Sequence, residues 1–128
     1  MTLPDWPDAE RAVGDFLSVL GTTGSETPAA LQSSLPYLRI TRTGGSDDHR
    51  VTDTASISVD VFAADAGTAK SVAGQARQML LTRLPAATDH GVIDWAVTQA
   101  GPATLPPTDS DSLRLAVASY AVSMRYAQ

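Results

Sequence analysis

The sequence predicts an α+β fold with elements in the order α-β-β-α-β-β, in which two helices pack on one face of an antiparallel four-stranded sheet. Three observations lead there. Two segments repeat apolar residues at helical spacing. Several others alternate apolar and small polar residues as strands do. The polar set that this alternation leaves over is uniformly Ser, Thr and Asp, which suits a sheet with one covered face and one wet one. At 128 residues, with 43% apolar and 18% charged residues, the chain is expected to be a single domain over 1–128. Aromatic residues are only 5%, so the core must be built from Ala, Val, Leu and Ile.

The first helix is read from Ala9, Ala12, Val13, Phe16, Leu17 and Leu20, which recur at i, i+3 and i+4. Asp5 is placed to cap it, Pro7 suits its first turn and Gly21 stops it. Gly14 costs about 1 kcal/mol relative to Ala within a helix and marks a close contact. The segment Thr22–Ser34 reads as a loop with one short helical turn at Pro28–Gln32. Tyr37–Thr43 alternates as a strand, and Gly44-Gly45-Ser46-Asp47-Asp48-His49 is a turn. A second strand runs from Val51 to Ala63, with Ala55, Ile57, Val59, Val61 and Ala63 on one side.

Asp65 and Gly67-Thr68 open the second helix, whose buried stripe is Ala69, Val72, Ala73, Ala76, Met79, Leu80 and Leu84; Pro85 ends it. Gly91–Gln99 is a third strand, expected to turn Ile93, Trp95 and Val97 to the core. Gly101–Ser112 reads as a Pro- and Asp-rich loop. Leu113–Tyr126 is a last strand long enough to call for a bulge or a change of face, with Ala118, Tyr120, Val122, Met124 and Tyr126 on one side. The opposite sheet face then carries Thr41, Thr43, Ser56, Ser58, Asp60, Asp94, Thr98, Ser119 and Ser123, and is expected to meet water.

Charge and composition narrow the function. The net charge is −5; the excess of acids lies before Asp65, and beyond Ala64 acids and bases balance. Such a chain has no dense cation cluster with which to hold nucleic acid tightly. It has no cysteine, which excludes disulfides and thiolate metal sites. The first residues show no basic segment followed by an apolar one, so no signal peptide is expected. No apolar run approaches the roughly 20 residues of a membrane span.

Chemistry-bearing patterns are sparse. His49 and His90 both fall in turns, and no Ser lies in a Gly-x-Ser-x-Gly elbow. Asp47-Asp48-His49 could meet a divalent cation, but a polar hairpin tip is the reading favoured, since adjacent carboxylates without further ligands hold metal weakly. Thr108-Asp109-Ser110-Asp111-Ser112 lacks the glycine and the terminal acid of a calcium loop. Gly21-Thr22-Thr23-Gly24-Ser25 lacks the lysine of a phosphate loop. Arg39, Arg42 and Arg50 lie among Asp47, Asp48 and Asp53, which favours a mixed-sign face or intersubunit salt bridges over a nucleic-acid site. Trp6 is either a hydrophobic staple or an exposed docking residue. No catalytic, cofactor-binding or metal residue is assigned, and the chain is expected not to be an enzyme.

The string Leu35-Pro36-Tyr37-Leu38-Arg39-Ile40-Thr41-Arg42-Thr43-Gly44-Gly45 is followed by an Asp-rich turn and by Ile57-Ser58-Val59-Asp60-Val61-Phe62-Ala63-Ala64-Asp65. Gln78-Met79-Leu80-Leu81, Gly91-Val92-Ile93-Asp94, Gly101-Pro102, Leu105-Pro106 and Val122-Ser123-Met124-Arg125 come after. In this arrangement, over nearly its whole length, the chain resembles the tail-terminator proteins, head–tail connector components of long-tailed bacteriophages that infect actinobacteria. The resemblance implies a virion protein made in the host cytoplasm and placed at the head–tail junction. It would be a subunit of a homo-oligomeric ring, typically a hexamer, that caps the tail tube, ends its polymerisation and meets the head-completion protein. The sheets of such rings tend to face the central channel, through which genomic DNA passes without being gripped. The implied channel-facing residues are Thr41, Ser56, Ser58, Asp60, Ser119 and Ser123. The projecting hairpin, with Arg42, Asp47, Asp48, His49 and Arg50, is the implied arm toward the tube or a neighbouring subunit. Two other readings stand beside this one: another phage connector or tail-completion protein, and an unrelated small α+β domain or enzyme using the polar sheet face as a ligand site.

Overall fold

A computed structural model of the protein describes residues 8–47, 52–105 and 113–125. Helix α1 (Ala9–Leu17) begins at Asp8, whose carboxylate accepts from the Arg11 amide, and runs into a 3-10 turn at Ser18–Leu20. The expected cap, Asp5, lies with Pro7 outside the described residues. Asp8 does the capping, one position before the first buried residue, Ala9. Helix α2 (Ala66–Thr82) is capped by Asp65, which accepts from the Thr68 amide at 2.7 Å. Ala69, Val72, Ala73, Ala76, Met79 and Leu80 are its buried stripe, as expected, whereas Leu84, expected to end that stripe, lies beyond the helix and packs partly buried against the core. A 3-10 turn spans Leu31–Ser34, slightly later than the turn expected at Pro28–Gln32.

The sheet corrects the expected four-stranded antiparallel arrangement. It has six strands, β1 (Thr22–Gly24), β2 (Tyr37–Asp47), β3 (Thr52–Ala63), β4 (Ala86–Thr88), β5 (Gly91–Leu105) and β6 (Arg114–Arg125), in the order β1-β2-β3-β6-β5-β4. It is mixed, because β1 runs parallel to β2 with Thr22 opposite Tyr37, and it curls into a half-barrel. The two added strands have three residues each, too short to show a period of two, and both lie in Thr-, Gly- and Ala-rich sequence. β5 also runs through Gly101-Pro102, expected as loop; proline is tolerated there because β4 pairs only with Gly91–Ile93 and, among the described residues, leaves the outer edge of β5 beyond it without a ladder. The bulge expected in the last strand is absent: β6 pairs β3 without a shift from Arg114 to Arg125. The irregularities fall in β5, between Ile93 and Trp95, between Thr98 and Ala100, and between Ala100 and Ala103.

Both helices pack on one sheet face, where Leu38, Ile40, Ala55, Ile57, Val59, Val61, Ala118, Tyr120, Val122 and Met124 form a single core with Ala12, Val13, Leu17 and the α2 stripe. The curl brings opposite ends of the sheet to α1. The Asp8 amide donates to the His90 carbonyl at 3.1 Å, and Glu10 accepts from the Arg42 amide at 2.8 Å. Gly14 is buried on the same helix; its nearest neighbour is a side chain, Thr23 Oγ1, at ordinary contact distance from where a Cβ would stand.

Candidate functional site

The sheet face turned away from the helices is the only broad surface that the fold leaves without a covering layer among the described residues, and its chemistry follows from strand register. On β3 the alternation places Thr54, Ser56, Ser58, Asp60 and Phe62 outward, while Asp53, Ala55, Ile57, Val59, Val61 and Ala63 turn inward. Register carries this across the sheet. Thr41 pairs with Ser58 and Ser58 with Ser119, so Thr41, Ser58 and Ser119 share the open face with Ser56, Asp60 and Ser123. All six implied channel-facing residues are therefore brought to one face.

They are not equally accessible. Thr41, Ser56, Ser58 and Ser119 are half-buried. Asp60 is only 6% exposed, because Arg39 lies across it, with Nε at 3.0 Å and Nη2 at 2.7 Å from Oδ2, while Ser58 Oγ donates to the other oxygen at 2.8 Å. Arg39 also donates to Thr27 Oγ1 at 2.7 Å and stands 5.2 Å over the Phe62 ring. Tyr37 stacks on Phe62 and donates to the Glu26 carbonyl, so the segment from Glu26 to Thr27 is tied down over this end of the face. Burial raises the Tyr37 phenol above its usual range. Ser123 is 3% exposed, beside its cross-strand neighbour Trp95.

Trp95 and Val97 correct the expected core assignment. The shift at Asp94 places Ile93 opposite Met124 on the covered face but Trp95 opposite Ser123 on the open one. Trp95 is 47% and Val97 53% exposed. The same shift turns Thr98 inward, opposite Tyr120, rather than outward. The bulge is pinned by Asp94, which accepts from Arg125 Nε at 2.9 Å. The open face thus has two halves: polar over β2 and β3, apolar along β5. Nothing in a single sequence signals a bulge at Asp94, so strict alternation puts Trp95 on the wrong side.

The implied hairpin arm divides similarly. Arg42 is drawn into its own chain: its guanidinium grips the buried Asp53 carboxylate in two bonds, Nη1 to Oδ2 at 2.5 Å and Nη2 to Oδ1 at 2.8 Å, and Nε donates to the Gly44 carbonyl. The backbone of Asp47 extends β2 opposite Asp53. Asp48, His49 and Arg50 lie outside the described residues.

An open cleft of about 540 Å³ lies elsewhere, lined by Asp8, Glu10, Arg11, Asp15, Thr23 and His90 among others. Its carboxylates are committed: Asp8 caps α1, Glu10 holds the Arg42 amide, and Asp15 lies 3.4 Å from His90 Nε2. Among the described residues no three metal-ligating side chains converge, and no helix is long and apolar enough to cross a membrane. The Thr108–Ser112 segment and Trp6 lie outside the described residues.

No family model matches this chain, and no curated protein matches its sequence. Among solved structures it is similar to a chain in the virion of a native gene transfer agent particle, with a TM-score of 0.55, 12% sequence identity, and coverage of 85% of this chain and 84% of that one. At that identity the likeness is one of fold, and it extends over most of both chains.

Proposed function

We propose that this chain is a structural subunit of a phage-like particle and, more finely, a tail terminator: a non-enzymatic ring protein that caps the tail tube, stops its growth and joins it to the head. The observation that carries the reading is the end-to-end fold likeness to a virion chain, with 85% and 84% of the two chains covered. The surface is consistent with it. The polar half of the open face, with Thr41, Ser56 and Ser58, would line a passage for DNA. The open face's described arginines, Arg39 on β2 and Arg125 on β6, are each neutralised by a carboxylate, Asp60 and Asp94. A passage built so does not grip the polyanion moving through it. The ring is a homo-hexamer in this reading, with the tail tube and a head-completion protein as its neighbours and no cofactor.

The test is tail length in particles from cells lacking the gene. Electron micrographs should show tails extended beyond their normal length and detached from heads, restored by the gene supplied in trans. Tails of normal length joined to heads would overturn the terminator role.

A further inference from the structure

Two independent features of β5 meet at one place. The first is an open edge: β4 pairs only with Gly91–Ile93, so among the described residues the outer side of β5 from Trp95 onward has no strand beside it. The second is apolar exposure. Trp95 and Val97, two of the four exposed large hydrophobic residues described, stand on this same stretch. Bulges at Asp94 and Gln99 bound it, leaving Trp95–Thr98 in regular register with Ser123–Tyr120. An unpaired, regular, apolar edge is what strand proteins ordinarily avoid by charge, cover or bulging.

We propose that the free chain covers this edge with the same edge of a second copy, the two β5 strands pairing antiparallel about a two-fold axis near Val97. Charge selects the occupant. In a two-fold strand pair the edge meets a second copy of itself, so an edge of net charge faces that same net charge, and a neutral edge avoids the repulsion. Trp95–Leu105 contains no charged residue, in a chain of net charge −5. The other sheet edge does not offer itself. β1 occupies Tyr37–Arg39 of β2, and the Arg42 amide is held by Glu10 from α1. Pairing at β5 sets Val97 beside its counterpart and Trp95 two residues away on the same face, so two exposed patches merge into one. The pair goes beyond the ring reading and stands without it, since a ring of cyclic symmetry contains no such two-fold.

The test is the mass of the purified chain by light scattering over a concentration series, for the natural sequence and for Val97→Lys. A two-chain mass is expected, shifting to one chain in V97K with the dissociation constant raised at least tenfold and the far-ultraviolet circular dichroism unchanged. The chain lacks cysteine, so Val97→Cys supplies a second readout that does not require V97K to fold. Mild oxidation should link V97C into covalent dimers far more readily than a control cysteine at exposed Val19. A one-chain mass for the natural sequence, or no preferential V97C linkage, overturns the pair. A six-chain mass insensitive to V97K overturns it too, while supporting the ring.

Discussion

Tyr120 lies fully enclosed beneath the helices, and its hydroxyl and that of its cross-strand neighbour Thr98 are buried without a hydrogen-bond partner among the described residues. Burial pushes the Tyr120 phenol up to about 12, with Arg77 opposing weakly. In the unfolded chain the same group ionises near 10. Between those values the unfolded chain binds fewer protons than the folded one, so stability falls as pH rises through this window, by at most about 1.4 kcal/mol per unit. Chemical denaturation at pH 9, 10, 11 and 12 should show the decline, and Tyr120→Phe should flatten it without unfolding the protein at pH 7. A decline of equal size in Y120F would place the cause elsewhere. Arg42 teaches a different lesson at this scale. Its place among Asp47, Asp48 and Asp53 announces an ion pair, but only the fold shows that the partner is its own buried Asp53. Residue type is legible in the sequence, whereas the choice between a partner within the chain and one outside it depends on register.

Among the elements, the β2–β3 hairpin depends on Gly45. Its φ of +132° lies where side chains are strained, and a Cβ there would collide with the Thr54 carbonyl and lie 2.8 Å from Ala55 Cα. Gly45→Ala should cost roughly 2–3 kcal/mol, read as a lowered urea midpoint, whereas Gly44→Ala, with open space around its Cβ, should cost far less. Equal losses at the two positions would show that the bulged turn does not set the hairpin. The elements legible in the sequence were those with enough repeats to declare a period: α1, α2, and the strand alternation of Ala55–Ala63 and Ala118–Met124, whose inward residues form the core. β1 and β4 were not legible, because three residues cannot display a period and their pairing is decided by tertiary contact. The shift at Asp94 escaped for a related reason: an inserted residue changes phase without changing composition, and it moved Trp95 and Val97 from the expected core to the surface. The open face was therefore half legible, its Ser and Thr side in register and its apolar side hidden by the bulge.

At the scale of the whole molecule, the two helices seal one side of a curled sheet, and α1 ties the β2 edge to the β4–β5 turn through Glu10 and Asp8. What remains outside is a two-part face: polar and charge-neutralised over β2 and β3, apolar at the β5 edge. An assembly subunit uses such a division well, because one part can border a passage while the other is covered by protein. The cleft beside α1 is less suited to ligand chemistry, since its carboxylates are already held by backbone amides and His90. The central claim, that this chain is a ring component of a phage-like particle, is tested most directly by its copy number in purified particles, measured by quantitative mass spectrometry against the major head protein. The account predicts one closed ring per particle, about six copies. Absence from particles, or a copy number in the hundreds that scales with tail length, would contradict it.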